Sequence, residues 1–448
     1  MRTIPRAMRS VFVAWAMGFT RPTFQRFVAL VKGALMTTGD HTISNVLRTA
    51  GELMRGDPST WHRVLSQRVW SAWTLARALA EYVLTELVPK GLVELAGDDT
   101  VTEHPGQRVF GKGCHRDAVR SSHSFTAYRW GHKWVVLAIN VKLPGTVRPW
   151  ALPVLVALYR NKKDNDAAGR RHKTPADLMR QMLCVLKRWF SRRKFVFSGD
   201  GGYATHELTE FSHEHSPHLT LVSKFYPDAN LYDPPGPPRG GKGRPRVKGQ
   251  KQLTPAEVVA QTKRKTLLTV NWYGGTTRQV AIVTGVGHWY KSGARLVPIR
   301  WVYVEDRTGT RRTEYFYTTD LNLSPREIIE HFTGRWSIEV TFEEARAHVG
   351  LETTRGWCER TVLRAEPLLL GLYSVAALWY AALPRRDREL PGVRWIGKTH
   401  VTFSDAITAV RRWLWREWIF ENPHWKAVFQ KIPNHRKNLL LNALSTAA

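Results

Sequence analysis

The stretch from Ser324 to Arg346 constrains this chain more than any other, because it sets carboxylates and arginines at helical spacing along one element. Arg335, Glu339, Phe342, Glu343 and Arg346 recur at intervals of three and four, so a helix carries them on one face. Ser324-Pro325-Arg326-Glu327 supplies the start: a capping serine, a first-turn proline and a glutamate three residues on. One helix running from that cap places Glu339 about four turns in, on a rigid element.

Two upstream apolar runs end in acid. Gly91-Leu-Val-Glu-Leu-Ala-Gly-Asp98-Asp99-Thr100 reads as a short strand closing on aspartate. Lys194-Phe-Val-Phe-Ser-Gly-Asp200-Gly201-Gly202-Tyr203 reads as a second, whose glycines turn the chain sharply out of the strand. Strand ends are where α/β folds place chemistry. Asp98, Asp200 and Glu339 form an all-oxygen set able to hold two divalent ions about 3.5 to 4 Å apart, which clamps the attacking and leaving oxygens of a phosphodiester. Hard ligands of this kind favour Mg²⁺ or Mn²⁺. Asp99 and Glu343 stay open as alternative ligands.

Taken together, Phe332-x2-Arg335-x3-Glu339-x6-Arg346, Asp98-Asp99-Thr100 and Asp200-Gly201-Gly202-Tyr203 resemble the DDE transposases of bacterial insertion sequences, of the type with a Tyr-x2-Arg-x3-Glu-x6-Lys signature. Arg335 and Glu339 match that signature, while Phe332 stands for its tyrosine and Arg346 for its lysine. The family's first-aspartate motif, Asp-x-Thr or Asp-x-Ser, favours Asp98 over Asp99. Its second, Asp followed by Gly or Arg and then an aromatic, fits Asp200 to Tyr203. The resemblance extends over most of the chain beyond about residue 40. It implies an α/β, ribonuclease H-like catalytic core, a mixed sheet with flanking helices, interrupted by a β-rich insertion and preceded by a helical N-terminal domain. It also implies two bound Mg²⁺ or Mn²⁺ ions, hydrolytic cleavage at the ends of a mobile element and transfer of the freed 3′ end to a target strand. Double-stranded DNA, as terminal inverted repeats and as target, is then the partner of a homodimeric synaptic complex.

Pattern and punctuation give the same order of elements. After the Asp98 strand come the apolar runs Trp134–Val141 and Ala151–Leu158, then a helix opened by Thr174-Pro175-Ala176-Asp177 and running to about Phe190. The Asp200 strand follows, and Leu219–Ser223 is a fifth strand. From Lys224 to Leu323 lie about a hundred residues, too long for a plain loop. Their first part, from Asp233 to Gly249, is rich in proline, glycine and basic residues. Their second part alternates as strands at Leu267–Tyr273, Arg278–Val283, Val297–Tyr303 and Glu314–Tyr317. The expected division is therefore a helical DNA-binding region over 1–90, a first part of the catalytic core over 91–223, linker and insertion over 224–323, the second part of the core over 324–400, and a helical C-terminal region over 401–448. The charge-free run from Pro367 to Leu383 reads as a buried core helix begun by Pro367 rather than a membrane span.

Composition sets the partner. Lys and Arg number 67 against 37 Asp and Glu, a formal charge of +30 with an isoelectric point of about 10.4, the footprint of a protein that tracks a phosphate backbone. Cys114, Cys184 and Cys358 are odd in number and far apart, which suits a reducing, cytoplasmic setting rather than a disulfide scaffold. Arg335 and Arg346, flanking Glu339, are expected on phosphate, where a guanidinium engages two oxygens; the plainer reading is a salt-bridge ladder along the helix. Tyr203 joins them as a DNA-contacting candidate. Arg244 and Arg246, in Gly243-Arg244-Pro245-Arg246, resemble a minor-groove arm, and a flexible basic linker explains them equally well. Among the N-terminal helices, His62, Arg63, Gln67 and Arg68 are candidate contacts for element ends. Two other classes compete: a non-catalytic DNA-binding descendant, and a nuclease of the same fold that cuts without joining.

Charge of this size makes a direct prediction. If six to ten phosphates are neutralised, affinity for unrelated duplex DNA falls about 10³- to 10⁵-fold between 50 and 200 mM salt. A binding titration that stays flat across that range contradicts the nucleic-acid assignment.

Overall fold

Eleven strands join into one mixed sheet in the computed structural model, which describes residues 4–117, 120–121, 124–236, 246–389 and 397–446. They are β1 (Leu92–Glu103), β2 (Gly113–Arg116), β3 (Tyr128–Val141), β4 (Trp150–Tyr159), β5 (Lys194–Gly199), β6 (Leu219–Lys224), β7 (Leu231–Tyr232), β8 (Thr266–Asn271), β9 (Thr277–Trp289), β10 (Val297–Asp306) and β11 (Glu314–Thr318). Their order is β2-β3-β1-β5-β6-β11-β10-β9-β7, with β4 on β3 and β8 on β9. β1, β3 and β4 pair antiparallel, whereas β1, β5 and β6 run parallel.

Alternation along β5 shows how the two faces are filled. Phe195 and Phe197 pack with Met179, Met182, Leu183 and Leu208, from the helices Pro175–Trp189 and His206–Glu214. Val196, one residue out of phase, packs with Ile328, Ile329 and Phe332 of the helix Pro325–Gly334 on the opposite face. Thr174 and Asp177 close the first of these helices with a reciprocal capping box, the same device Ser324 and Glu327 use before Glu339.

Two expectations are corrected here. β1 does not end at its aspartates: its parallel ladder with β5 stops at Gly97 opposite Gly199, but its antiparallel ladder with β3 continues to Glu103 opposite Gly131. Asp98 and Asp99 therefore lie mid-strand. The strands of the segment 224–323 belong to the same sheet. β11 pairs antiparallel with β6, so β8 to β11 lengthen the catalytic sheet itself. Finally, Pro367 does not begin the apolar helix. That helix runs Glu359–Ala382 with Pro367 inside it, and although long and apolar enough to cross a membrane, it is mostly buried within the protein.

Helices from Arg9 to Tyr82 occupy the N-terminal region. They share one core with the later helices Glu359–Ala382 and Phe403–Leu414. Phe12 meets Trp379 edge-on at 6.0 Å, and the buried guanidinium of Arg411 donates to the carbonyls of Leu35 (3.0 Å) and Thr37 (2.9 Å). His62, Arg63, Gln67 and Arg68 are exposed on this bundle.

Gly97 and Gly199 bring β1 and β5 together immediately before their acids. A Cβ on Gly97 would sit 2.3 Å from the Phe197 ring and 2.7 Å from Met179 Cε. Gly97→Ala is therefore expected to lower unfolding stability by about 1 to 3 kcal/mol, the range for an added methyl in a filled core. Urea denaturation of the two proteins measures it, and an unchanged midpoint would show that Phe197 and Met179 have room to move.

Candidate active site

The parallel register fixes the first two acids. Because Gly97 pairs with Gly199, the next residues, Asp98 and Asp200, leave the β1–β5 pair side by side. Ser223 of β6 locks the turn that follows, donating through Oγ to the carbonyls of Gly199 (2.9 Å) and Asp200 (2.8 Å). The Gly202 amide donates to Asp200 Oδ1 (2.9 Å), and the Asp99 amide to Asp98 Oδ1 (2.8 Å).

Glu339 arrives differently from its expected place. The element that begins at Ser324 is two helices, Pro325–Gly334 and Ser337–His348, and Glu339 lies in the first turn of the second. Asn140 Nδ2 of β3 donates to the Gly334 carbonyl (3.2 Å), while the Ile338 amide turns instead to the Arg335 carbonyl (3.0 Å). That diversion tightens the backbone around Arg335 and Trp336 and separates the helices.

Arg335 then joins two of the acids. Its Nη1 donates to Asp98 Oδ2 and its Nη2 to Glu339 Oε1, each at 2.6 Å, with only 7% of its side chain exposed. This corrects the expectation of an arginine open to phosphate: the guanidinium is committed to the acids. Arg346 is committed as well. Its Nε donates to Glu352 Oε1 (2.6 Å) and its Nη2 to Thr100 Oγ1 (2.5 Å) and the Val101 carbonyl (3.2 Å), which ties the Glu339 helix to β1. Tyr203 is also away from any DNA-facing surface, 1% exposed and edge-on to Phe197 at 6.1 Å. Its buried hydroxyl has no partner and lies close enough to Asp99, Asp98 and Asp200 that, after burial itself, their charges help hold it well above the ordinary tyrosine range.

Asp99 borders this constellation, close enough for its charge to act on Asp98, but takes a cation of its own. Lys133 of β3 holds Asp99 at 2.9 Å, and Glu343 is exposed one turn beyond Glu339. Arg246 is exposed, whereas Arg244 lies outside the described residues. Sequence reasoning missed Lys133, Asn140 and Ser223. The first had one visible signal, a lone lysine at the head of the apolar run Trp134–Val141. It also missed Tyr273 and Glu314 of the 224–323 segment, which lie beside the turn between the two helices: the Tyr273 hydroxyl donates to Glu314 Oε2 (3.2 Å), and its ring lies 6.4 Å from Trp336.

Burial pushes the Asp98 carboxyl up to about 7; Arg335 opposes the shift, and Asp200 and Asp99 add to it. Asp99 is raised too, by burial against the pull of Lys133. Burial works against the Arg335 charge, but Asp98 and Glu339 outweigh it and hold the guanidinium above its ordinary value. Among the described residues no three acids, histidines or cysteines are gathered closely enough to hold a metal ion as they stand. The donor set nonetheless suits a hard cation. It is all oxygen, its aspartates repel one another, and Asp98 and Glu339 already share one positive charge.

Two family models match this chain over different ranges. A family model described as DDE superfamily endonuclease matches residues 16–279, more than half of the chain, and one described as archaeal putative transposase ISC1217 matches residues 293–363, which include Arg335 and Glu339. No curated protein matches. Among solved structures, the cryo-EM structure of a piggyBac transposase synaptic complex with hairpin DNA aligns at a TM-score of 0.41 and 10% identity, covering 96% of this chain and 82% of that one.

Removing the shared cation should be felt in folding. Arg335→Met leaves Asp98 buried beside Asp200 without its partner, and breaking such a pair costs about 3 to 5 kcal/mol. Denaturation in metal-free buffer should show that loss, and added Mg²⁺ should narrow the gap to the parent. Equal stability of the two proteins without metal would show that Arg335 does not hold the acids together.

Proposed function

The chain belongs to the DDE superfamily endonucleases, and on that premise we propose that it is a transposase that cuts DNA at the ends of its element and joins the freed 3′ ends to a target. The observation that carries this reading is the β1–β5 register, which sets Asp98 beside Asp200, together with the Arg335 fork that draws Glu339 to Asp98. The strand order β4-β3-β1-β5-β6, antiparallel on one side of β1 and parallel on the other, supports a ribonuclease H-like core.

Asp98, Asp200 and Glu339 would hold Mg²⁺. When bound there, it stabilises the charge on the attacking and leaving oxygens of a phosphodiester. The chain's own residues do the rest. Ser223 and the Gly202 amide orient Asp200, the Asp99 amide orients Asp98, and Arg346 keeps the Glu339 helix against β1. Asp98 is preferred to Asp99 as the ligand because Arg335 joins it to Glu339, whereas Asp99 pairs with Lys133. In the first reaction water attacks phosphorus and the 3′ oxygen leaves; in the second that 3′ hydroxyl attacks the target strand and displaces its 3′ oxygen. No covalent bond to the protein is needed. Two element ends must be held for joining, so a homodimer on double-stranded DNA is the expected working form, with Mn²⁺ able to replace Mg²⁺.

Asp98→Ala, Asp200→Ala and Glu339→Ala should each abolish cleavage of a labelled element end in Mg²⁺ while leaving end binding intact, and Asp99→Ala should cleave. Full cleavage by Asp200→Ala would sink the assignment. Retention of binding with no cleavage by the parent protein would favour the non-catalytic descendant, and cutting without joining would favour the nuclease.

A further inference from the structure

The short ribbon β2–β3 presents to solvent side chains that a fold ordinarily covers. Its register sets Cys114 opposite Trp130 and Arg116 opposite Tyr128. Those four are exposed, whereas Gly113, His115 and Gly131 between them are buried. Trp130 is 63% exposed and Tyr128 65%. The ribbon itself is held firmly: on the inner side Arg129 pairs with Asp117 (2.9 Å) and Glu352 (3.3 Å), and the His115 ring lies 5.9 Å from Tyr159. A third aromatic, Trp357, 69% exposed, sits on a loop stitched to the same place. Its carbonyl accepts from the Phe110 amide (2.9 Å), and the Phe110 carbonyl is bonded to His132 Nε2 (2.9 Å).

Register connects this surface to the acids. Asp98 pairs with Val136 and Thr102 with His132, so Trp130 and Tyr128, continuing the alternation, lie on the Asp98 face of the sheet. Six residues separate Val136 from Trp130, about 20 Å along the strand. That is roughly six nucleotides at about 3.4 Å each.

We propose that the open face of the β2–β3 ribbon binds unpaired nucleotides of the DNA strand that runs on from the acid cluster, with Trp130 and Tyr128 stacking on a base and Arg116 taking a phosphate. The inference rests on the transposase reading. Residues two apart on one strand are spaced by about 6.6 Å, close to two stacking steps of about 3.4 Å, so a planar base fits between the rings. Bases within a duplex have both faces covered by their neighbours, so this chemistry selects unpaired ones. The guanidinium registered beside the rings supplies the complementary charge.

The test uses the full chain, a labelled oligothymidylate of about eight nucleotides and an unrelated duplex, followed by fluorescence anisotropy at fixed salt. Trp130→Ala and Tyr128→Ala should each weaken oligothymidylate binding about ten- to a hundredfold, with duplex binding held within about twofold. In the parent protein the oligothymidylate should also shield Cys114 from alkylation, read by peptide mass, and the duplex should not. If the variants bind oligothymidylate like the parent, or Cys114 stays reactive in its presence, the ribbon is not the site, although duplex binding would leave the transposase reading standing. A parent that binds neither DNA overturns both. Variants that lose self-association in sedimentation while keeping oligothymidylate binding would make the ribbon a subunit contact and end the proposal.

Discussion

One buried guanidinium organises the centre of this molecule. Arg335 sits between an aspartate from the middle of a strand and a glutamate from the first turn of a helix, and it is the bond by which those distant parts of the chain meet. Without a positive charge there, burial and mutual repulsion would set Asp98 and Asp200 against the fold. Several local features serve that meeting. Gly97 leaves room for the Phe197 ring and Gly199 for Tyr203, Asn140 breaks the helix at the right turn, and Arg346 fastens the second helix to Thr100, two residues along β1 from Asp98.

Much of this was legible in the sequence, and the reasons differ by element. The strands β1, β3, β4, β5 and β6 and the helix after Thr174 could be read because burial imposes its period directly on residue choice. Likewise, Ser324 and Glu327 announced a helix start that the capping box bears out. What could not be read were effects of one element on another. The end of β1 is set by β3, which no local signal near Asp98 reveals. The helix break before Ser337 depends on a side chain almost two hundred residues away, and Gly334 alone was too weak a mark. Arg335 and Arg346 looked like phosphate ligands because a surface helix face and a buried one carry the same spacing; only packing tells them apart. Tyr203 was misjudged for the same reason, since its position after Asp200 says nothing of the Phe197 ring that encloses it.

Segment 224–323 teaches a related lesson. Its alternating strands could be read, but not where they would pair: the edge of β6 takes β11, because an unpaired sheet edge leaves backbone donors and acceptors unmet. Pairing β11 there carries Glu314, and with it Tyr273, to a place beside Trp336. A segment of no obvious chemical character in sequence therefore packs against the turn that precedes the Glu339 helix.

Continuity of the sheet has a geometric consequence of its own. Neighbouring strands rotate by roughly 20 to 25° relative to one another. The path from β1 to β9 passes through β5, β6, β11 and β10, five such steps. At that average, rotation of about 100 to 125° over the path would set the outer strands nearly crosswise to the strand that bears Asp98. The sheet thus behaves as a saddle rather than a plane, and a stiff rod laid along one end of it must leave the surface before reaching the other. Only a partner that bends, or one whose strands part, can follow it throughout.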